Sequence, residues 1–418
     1  MAKKRSSTKK RPKAAKVRAK APRKSAGKRK LKIAQLHWGF PPIIGGVETH
    51  LVSMLPTMVK MGHSASLLTG SAEGYKMKYD FEGTKIRRTP LMDLNWLFKR
   101  GLAGLDDEIK QIFVEFVDEM KPDILHAHNM HYFSKPHARL LSEVAKKKGV
   151  PLVLTAHNVW DENLYLDLTR DIPWDHIIAV SHYIRREIVG IGVSPRRCTT
   201  IHHGIDHNKF HPGAPTAAIY KKYPQLKGKR PIFHPARMGI AKGCDVSIKA
   251  FNIVHQRFPE AMLVLAGTKN IIDWGATQQK DIAYFISLIK FYGFEDRVLV
   301  DVYALNEMPG LYAASEIALY PSTAMEPFGL TMLEAMSTAK PMIVTAAGGM
   351  PEIIQDGING YVVPIKDFES LAGRICGLLS EDRVRDDFGR TGRQMVEHQF
   401  TKEIMTDHHI EVYNSILK

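Results

Sequence analysis

From Lys32 to the C-terminus, short uninterrupted runs of aliphatic and β-branched residues alternate with segments of helical hydrophobic period, and the alternation occurs twice. Runs that are apolar at nearly every position belong to strands covered on both faces, the condition of a parallel sheet between helices. The first series comprises KIAQLHW (32–38), SASLLT (64–69), ILHAH (124–128), PLVLTAH (151–157), HIIAVS (176–181) and CTTIHHG (198–204). After its first run, Val47, Leu51, Leu55 and Met58 share one helix face. HPGAPTAA (211–218) breaks the composition and reads as a linker. The second series follows: PIFHPAR (231–237), AMLVLAG (261–267), RVLVDVYA (297–304), EIALYPS (316–322), PMIVTAA (341–347) and YVVP (361–364).

A chain of 418 residues exceeds what one core serves well. The expected organisation is α/β, with two doubly wound domains in series, 31–212 and 213–400, and a closing helical segment within 401–418. Ligands of such sheets bind beyond the carboxyl ends of the strands, so chemistry is expected in the cleft.

Residues 1–30 carry fifteen Lys or Arg and no acid, and removing them from a formal +16 leaves +1 over the other 388 residues. The basicity therefore belongs to a tail too poor in large apolar side chains to fold, and disorder is expected for 1–30. Such a tail suits an anionic membrane surface, nonspecific phosphate contacts, or no fixed partner at all. A near-neutral body argues against nucleic acid as the main ligand. No stretch is long and apolar enough to span a membrane, and no signal-peptide core follows the tail. Cys198, Cys244 and Cys376 lie far apart without CxxC spacing, so neither a disulfide nor a zinc site is expected. A cytoplasmic enzyme is the expectation, peripheral at the inner membrane face if the tail binds there.

Three loops at strand ends carry candidate chemistry. HWGFPPIIGGVETH (37–50) leads into a helix through Gly45 and Gly46, and a helix N-terminus offers free N–H groups and a positive dipole end to an anion. In PARMGIAKG (235–243), Arg237 and Lys242 can converge across a loop on one anion, and two fixed cations can neutralise a leaving diphosphate without a metal. In EPFGLTMLEAM (326–336), Glu326 and Glu334 are eight residues apart. That permits roughly 12 Å of separation, about the length of a nucleotide sugar. It is too far for a two-carboxylate hydrolase, where up to ~9.5 Å is expected. Each loop also has a plain reading, as a helix start, solvated cations or surface glutamates.

His126, His128, His131 and His157 cluster at strand ends in the first series. No carboxylate ligand accompanies them, so a substrate-contacting histidine or satisfied core histidines are favoured over a metal site. His202 and His203 read as structural. Residues 71–105, with Tyr75, Tyr79, Trp96 and Phe98, show no readable pattern.

Taken together, these segments resemble the retaining GT-B glycosyltransferases usually numbered family 4. The run PSTAMEPFGLTMLEAM…KPMIVTAAGGMPEIIQDGINGYVVP is similar to that family's donor-binding signature, and GGVETH, IIAVSHYIRREI and IHHGIDHNKFHP look like further family pieces in the family's order. The resemblance implies two Rossmann-like domains facing a cleft. It implies Gly45 and Gly46 against a donor diphosphate held by Arg237 and Lys242, Glu326 facing the donor sugar and Glu334 binding ribose. Phe328, Gly329, Leu330 and Thr331 would form a turn whose N–H groups reach the phosphates, and His128 would lie near the acceptor and the reacting sugar. Residues 401–417 would cross back onto the first domain. Met238 and Gly239 depart from the family's usual aliphatic and acid, and Ala339–Lys340 replaces a common glycine, without removing a charged ligand.

The function so implied is transfer of a hexose-type sugar from a UDP- or GDP-sugar to a hydroxyl on a saccharide or lipid-linked acceptor, in surface glycan or glycolipid synthesis. The nucleotide sugar is a co-substrate; no cofactor or metal is expected. The alternatives are a phosphorylase or sugar-phosphate synthase on the same fold, or a non-catalytic nucleotide-sugar or nucleic-acid binding protein.

Overall fold

The computed structural model describes residues 29–159, 162–267 and 275–418, and the expectation for the basic tail falls on residues of which 1–28 lie outside this range. Residues 31–418 form one compact body. It holds fourteen strands among the described residues: β1 Lys32–Leu36, β2 Ser64–Gly70, β3 Lys78–Phe81, β4 Thr84–Thr89, β5 Ile124–His128, β6 Leu152–Ala156, β7 His176–Ala179, β8 Cys198–Thr200, β9 Arg230–His234, β10 Ala261–Gly267, β11 Val298–Val302, β12 Ile317–Tyr320, β13 Met342–Thr345 and β14 Gly360–Val363.

They make two sheets, ordered β3-β4-β2-β1-β5-β6-β7-β8 and β11-β10-β9-β12-β13-β14. All pairings are parallel except that of β3 with β4. Each sheet is doubly wound, as expected. The twelve apolar runs all contain a strand; those inside the sheets are buried on both sides, while the edge strands β8 and β11 are partly open, with Thr199 and Val300 exposed. In β6, Leu152 and Leu154 join one apolar cluster while Val153 joins another. In β12, Ile317 and Leu319 face one cluster and Ala318 and Tyr320 the other.

β3 and β4 fall in the segment without a readable pattern. Their side chains alternate in exposure, because this hairpin is the sheet's edge and has one wet face. The turn between them, Glu82–Gly83, has positive φ at both residues (47° and 84°), the geometry that matches hairpin twist. With Glu in place of Asn or Asp, it lacks the usual sequence sign.

Between the sheets the chain crosses at Ile205, and it returns at Thr401 beside it. The Ile205 N–H donates to Phe400 O at 2.8 Å and the Lys402 N–H to Ile205 O at 3.1 Å. The segment expected as a linker, 211–218, instead packs on the second half, where Pro215 O lies 2.8 Å from a Cβ placed on Gly310, and its last residues open the helix Ala217–Lys222. The final helix, Lys402–Ile416, puts Met405, Ile410 and Tyr413 into the cluster that holds Ile33, Leu51 and Leu55 of the first half.

Candidate functional site

In both sheets the strand order reverses once, between β1 and β5 and between β9 and β12, and the loops leaving these four strands carry the candidate residues.

In the second half, β9 runs into Arg237 and a short 3-10 turn, Ile240–Lys242, while β12 runs into Ser322 and Glu326. The two loops are stitched together: the Thr323 N–H donates to Ala241 O at 3.0 Å and the Thr323 hydroxyl to Ile240 O at 2.8 Å. Gly243 lets them close. Its φ is +75°, and a Cβ there would lie 1.8 Å from Pro321 O. Lys242 consequently forms an ion pair with the buried Glu326. The Ser322 hydroxyl lies 3.5 Å from the same carboxylate oxygen. Arg237 is exposed, and among the described residues no acid or carbonyl takes its guanidinium. Tyr320 lies under this group, with the Lys242 ammonium 5.7 Å from its ring centre. Burial and the nearby Glu326 hold its phenol far above the ordinary range, while Arg237 pulls it back.

A glycine pair, Gly348–Gly349, props Glu326 from behind. The Gly349 N–H donates to Glu326 O at 2.8 Å, and a Cβ on Gly348 (φ +59°) would sit 2.3 Å from that oxygen. Beyond it Phe328 is buried, Gly329 is left-handed, and the helix Leu330–Ser337 starts with no side chain capping it. The amide donors of Leu330 and Thr331 thus stand at an uncapped helix start, available to an anion. Glu334 follows on this helix, half-buried, accepting from the Tyr312 hydroxyl at 2.8 Å. Burial pushes its carboxyl up to about 7, against the downward pull of the Tyr312 bond and Lys209.

In the first half, Gly45 caps the helix Gly46–Lys60 in an extended conformation. The space beside it is taken: Glu48 is buried there, 3.1 Å from His37 Nε2, and a Cβ on Gly45 would lie 2.4 Å from its carboxylate. Burial raises the Glu48 carboxyl, but the bond to His37 and its charge win, and the net shift is downward. Gly46 is open, with nothing within 4 Å of where a Cβ would stand. Of the two glycines, Gly45 therefore makes room for an internal carboxylate and Gly46 is the one free to meet a ligand.

His128 is fully buried at the end of β5. The Gln35 amide oxygen, 2.7 Å from His128 Nε2, can only accept, so Nε2 carries the proton and Nδ1 is bare. His157 Nε2 donates to that Nδ1 (2.9 Å), His203 Nε2 to His157 Nδ1 (3.4 Å), and His50 Nδ1 to His203 Nδ1 (3.0 Å). One acceptor thus sets the tautomers of four neutral imidazoles. His50, His128 and His157 offer ring nitrogens within 4.8 Å of one another, the spacing of a metal triad; both nitrogens of His128 and His157 are hydrogen-bonded within the chain, while His50 Nε2 has no partner among the described residues. Of the other strand-end histidines, His126 meets Tyr413 and Thr155, and His131 meets Asn158 O. Burial, with neighbouring imidazoles, holds His50, His128 and His157 well below their ordinary range. His203 carries the cluster to the donor-side loop, its ring centre 4.9 Å from that of Phe328.

Glu352, which the loop motifs of the sequence did not single out, joins the halves. It accepts from the backbone N–H groups of His182 and Tyr183, both at 2.7 Å, and from His202 at 3.0 Å. Its signal was a carboxylate three residues past a glycine pair, set to reach a facing helix N-terminus.

Two family models match the chain: glycosyltransferase family 4 over residues 44–209 and glycosyl transferases group 1 over 216–395. Spore coat protein SA of Bacillus subtilis (strain 168) is 28% identical over 258 residues, 57% of this chain and 64% of that protein, just under two thirds of its length. N-acetyl-alpha-D-glucosaminyl L-malate synthase of Bacillus anthracis is 26% identical over 306 residues, 71% of this chain and 75% of that one. Among solved structures, Anabaena Alr3699/HepE in complex with UDP and glucose superposes with a TM-score of 0.73 at 19% identity, over 92% of this chain and all of that one. Two doubly wound halves, paired strand-end loops and these matches coincide along the described body, and the chain belongs to the family 4 glycosyltransferases of GT-B fold.

Proposed function

We propose that the chain transfers a hexose-type sugar from a UDP- or GDP-sugar to a hydroxyl acceptor, a saccharide or a lipid-linked one, with retention of anomeric configuration. The observation that carries this reading is the Lys242–Glu326 pair at the β9/β12 reversal, with Arg237 near the same tyrosine and unpartnered among the described residues. Two cations at a strand-end reversal suit a diphosphate, and they supply the charge neutralisation for which other transferases use a metal. Glu326 would accept from the donor's hexose hydroxyls, Glu334 from its ribose, and the uncapped start of Leu330–Ser337 would donate to the phosphates.

In the reaction the bond between the anomeric carbon and the phosphate oxygen breaks, and one to the acceptor oxygen forms on the same face. The acceptor's proton passes to the departing phosphate. His128 lies too deep in its hydrogen-bonded chain to give or take that proton as it stands, so its part is to shape the acceptor side. Closing the cleft would exclude water, whose attack competes. The likeness to a structure holding UDP and glucose favours a UDP-sugar, and the likeness to a spore coat protein favours a surface glycan or glycolipid as product.

The test is release of nucleoside diphosphate from a panel of UDP- and GDP-sugars, with Arg237→Ala and Glu326→Ala alongside and the product anomer read by proton NMR. Turnover of one donor, lost in both variants and giving the donor's own anomer, supports the reading. An inverted product, or phosphate-dependent cleavage as in a phosphorylase, overturns it.

A further inference from the structure

The stretch 71–105, unreadable as sequence, builds a defined rim at the carboxyl ends of β2 and β4. Ser71 ties its two parts together: its N–H donates to Thr89 O at 3.1 Å and its hydroxyl to Asp93 Oδ2 at 2.7 Å. Asp93 in turn caps the helix Leu94–Arg100, its Oδ1 accepting from Asn95 N at 2.9 Å and Trp96 N at 3.3 Å. The helix buries Leu97 and turns Phe98 outward, 94% exposed. On the neighbouring loop Tyr75 and Met77 are 48% and 47% exposed. Tyr75 rests 5.4 Å from the buried Arg88 guanidinium, which donates to Gly70 O at 2.9 Å, so the loop is pinned from below. Between these apolar side chains stand Lys76, Lys99 and Arg100, exposed and without an ion-pair partner among the described residues; one exposed acid, Glu73, shares the rim.

A phenylalanine lining a ligand groove would be partly covered by the groove's walls. Phe98 is covered by nothing, and cations flank it. Aromatic and aliphatic side chains projecting among lysines and arginines match a lipid interface, where rings enter the acyl boundary and cations stay at the headgroups. We propose that this rim docks the enzyme on an anionic lipid bilayer, with Phe98 inserting and Lys76, Lys99 and Arg100 meeting headgroup phosphates. Each such cation contributes about 1 kcal/mol near an anionic surface. β1, β2, β4 and β5 run parallel, so the rim lies at the same end of the sheet as Gly46 and His128. A hydroxyl carried on a membrane lipid would thus be presented to the cleft. That last step rests on the transferase reading; the docking does not.

The fifteen cations of residues 1–30 would also draw the chain to anionic vesicles, so the test must read the rim itself. Cys198, Cys244 and Cys376 are buried, which leaves Phe98→Cys as the accessible thiol for an environment-sensitive nitrobenzoxadiazole label on the full chain. Its emission should shift to the blue with vesicles of phosphatidylcholine plus phosphatidylglycerol, and stay unchanged with phosphatidylcholine alone. In unlabelled protein, Phe98→Ser should weaken co-sedimentation with the mixed vesicles about tenfold or more, the worth of one inserted ring. Phe291→Ser, removing another 80% exposed ring from the second half, should leave it unchanged. The proposal falls if the label stays unshifted on vesicles that carry the protein down, which assigns binding to the tail. It falls equally if neutral vesicles shift the label as much, if Phe291→Ser matches Phe98→Ser, or if no vesicle binds.

Discussion

Lys242 and Glu326 are joined by an ion pair although 84 residues separate them, because a left-handed glycine brings their two loops together at the one place where the second sheet reverses its order. The carboxylate is buried and the ammonium half-buried, so losing the ammonium strands a buried charge, while losing the carboxylate leaves a charge that water can still reach. Removing one charge of a buried pair leaves the other uncompensated, at a cost of up to about 3–5 kcal/mol. Lys242→Met should therefore lower both the melting temperature and turnover. Glu326→Gln should keep most of the stability and lose about 10²-fold or more in kcat, the usual effect of removing one group that stabilises developing charge. Calorimetry and donor turnover on the same preparations check the split; equal kcat in Glu326→Gln and wild type would remove Glu326 from the reaction.

Glu334 predicts a pH dependence in donor binding. Its carboxyl is raised to about 7, and the ionised form is the better acceptor for two ribose hydroxyls. As pH rises through 7 that form becomes dominant, so the KM for the nucleotide sugar should fall between pH 6 and 8, by up to about tenfold per unit on the acid side. Glu334→Gln should show a flat, weaker profile.

The buried histidines predict acid sensitivity of the fold. Burial lowers His203 and His234 to about 3, and His131, His137 and His409 to about 4. The unfolded chain binds protons at these rings near pH 6.5 and the folded chain does not, so their contribution is complete above about 6.5 and is lost as pH falls. Each proton taken up on unfolding costs about 1.4 kcal/mol per pH unit. Glu334 acts in the opposite sense between about 4.5 and 7, but as one group against five. The melting temperature should thus drop steeply from pH 6.5 to 4.5. His409→Phe should reduce the slope by about one proton, as read from denaturant unfolding across that range.

The glycines predict separable effects. Gly243→Ala must either move Pro321 or abandon φ +75°, a strain of about 1–3 kcal/mol, and it should lower the melting temperature and donor turnover together. Gly46→Ala meets nothing, so stability should hold; a raised donor KM in that variant would locate a phosphate at this helix start.

Much of this was legible before any fold was known. Twelve strands were readable because short β-rich runs recur between helical segments, and in the interior strands, buried on both faces, nearly every position must be apolar; the strand-end loops could be ranked by their charges and glycines. The edge hairpin β3–β4 was not, since one wet face dilutes the apolar signal and its Glu82–Gly83 turn uses an unusual residue. The segment 211–218, read as a linker, packs on the second half, because proline and glycine mark irregular backbone whether or not it spans a gap.

The sequence by itself determined the two doubly wound sheets and which loops hold Arg237, Lys242, Glu326 and Glu334, because local period and composition follow from the nearest neighbours along the chain. Tertiary structure alone decided the relationships: that Lys242 closes on Glu326, that one Gln35 oxygen orders four histidines, and that Phe98 faces outward. Those depend on distances between segments up to hundreds of residues apart, and no local pattern encodes a distance.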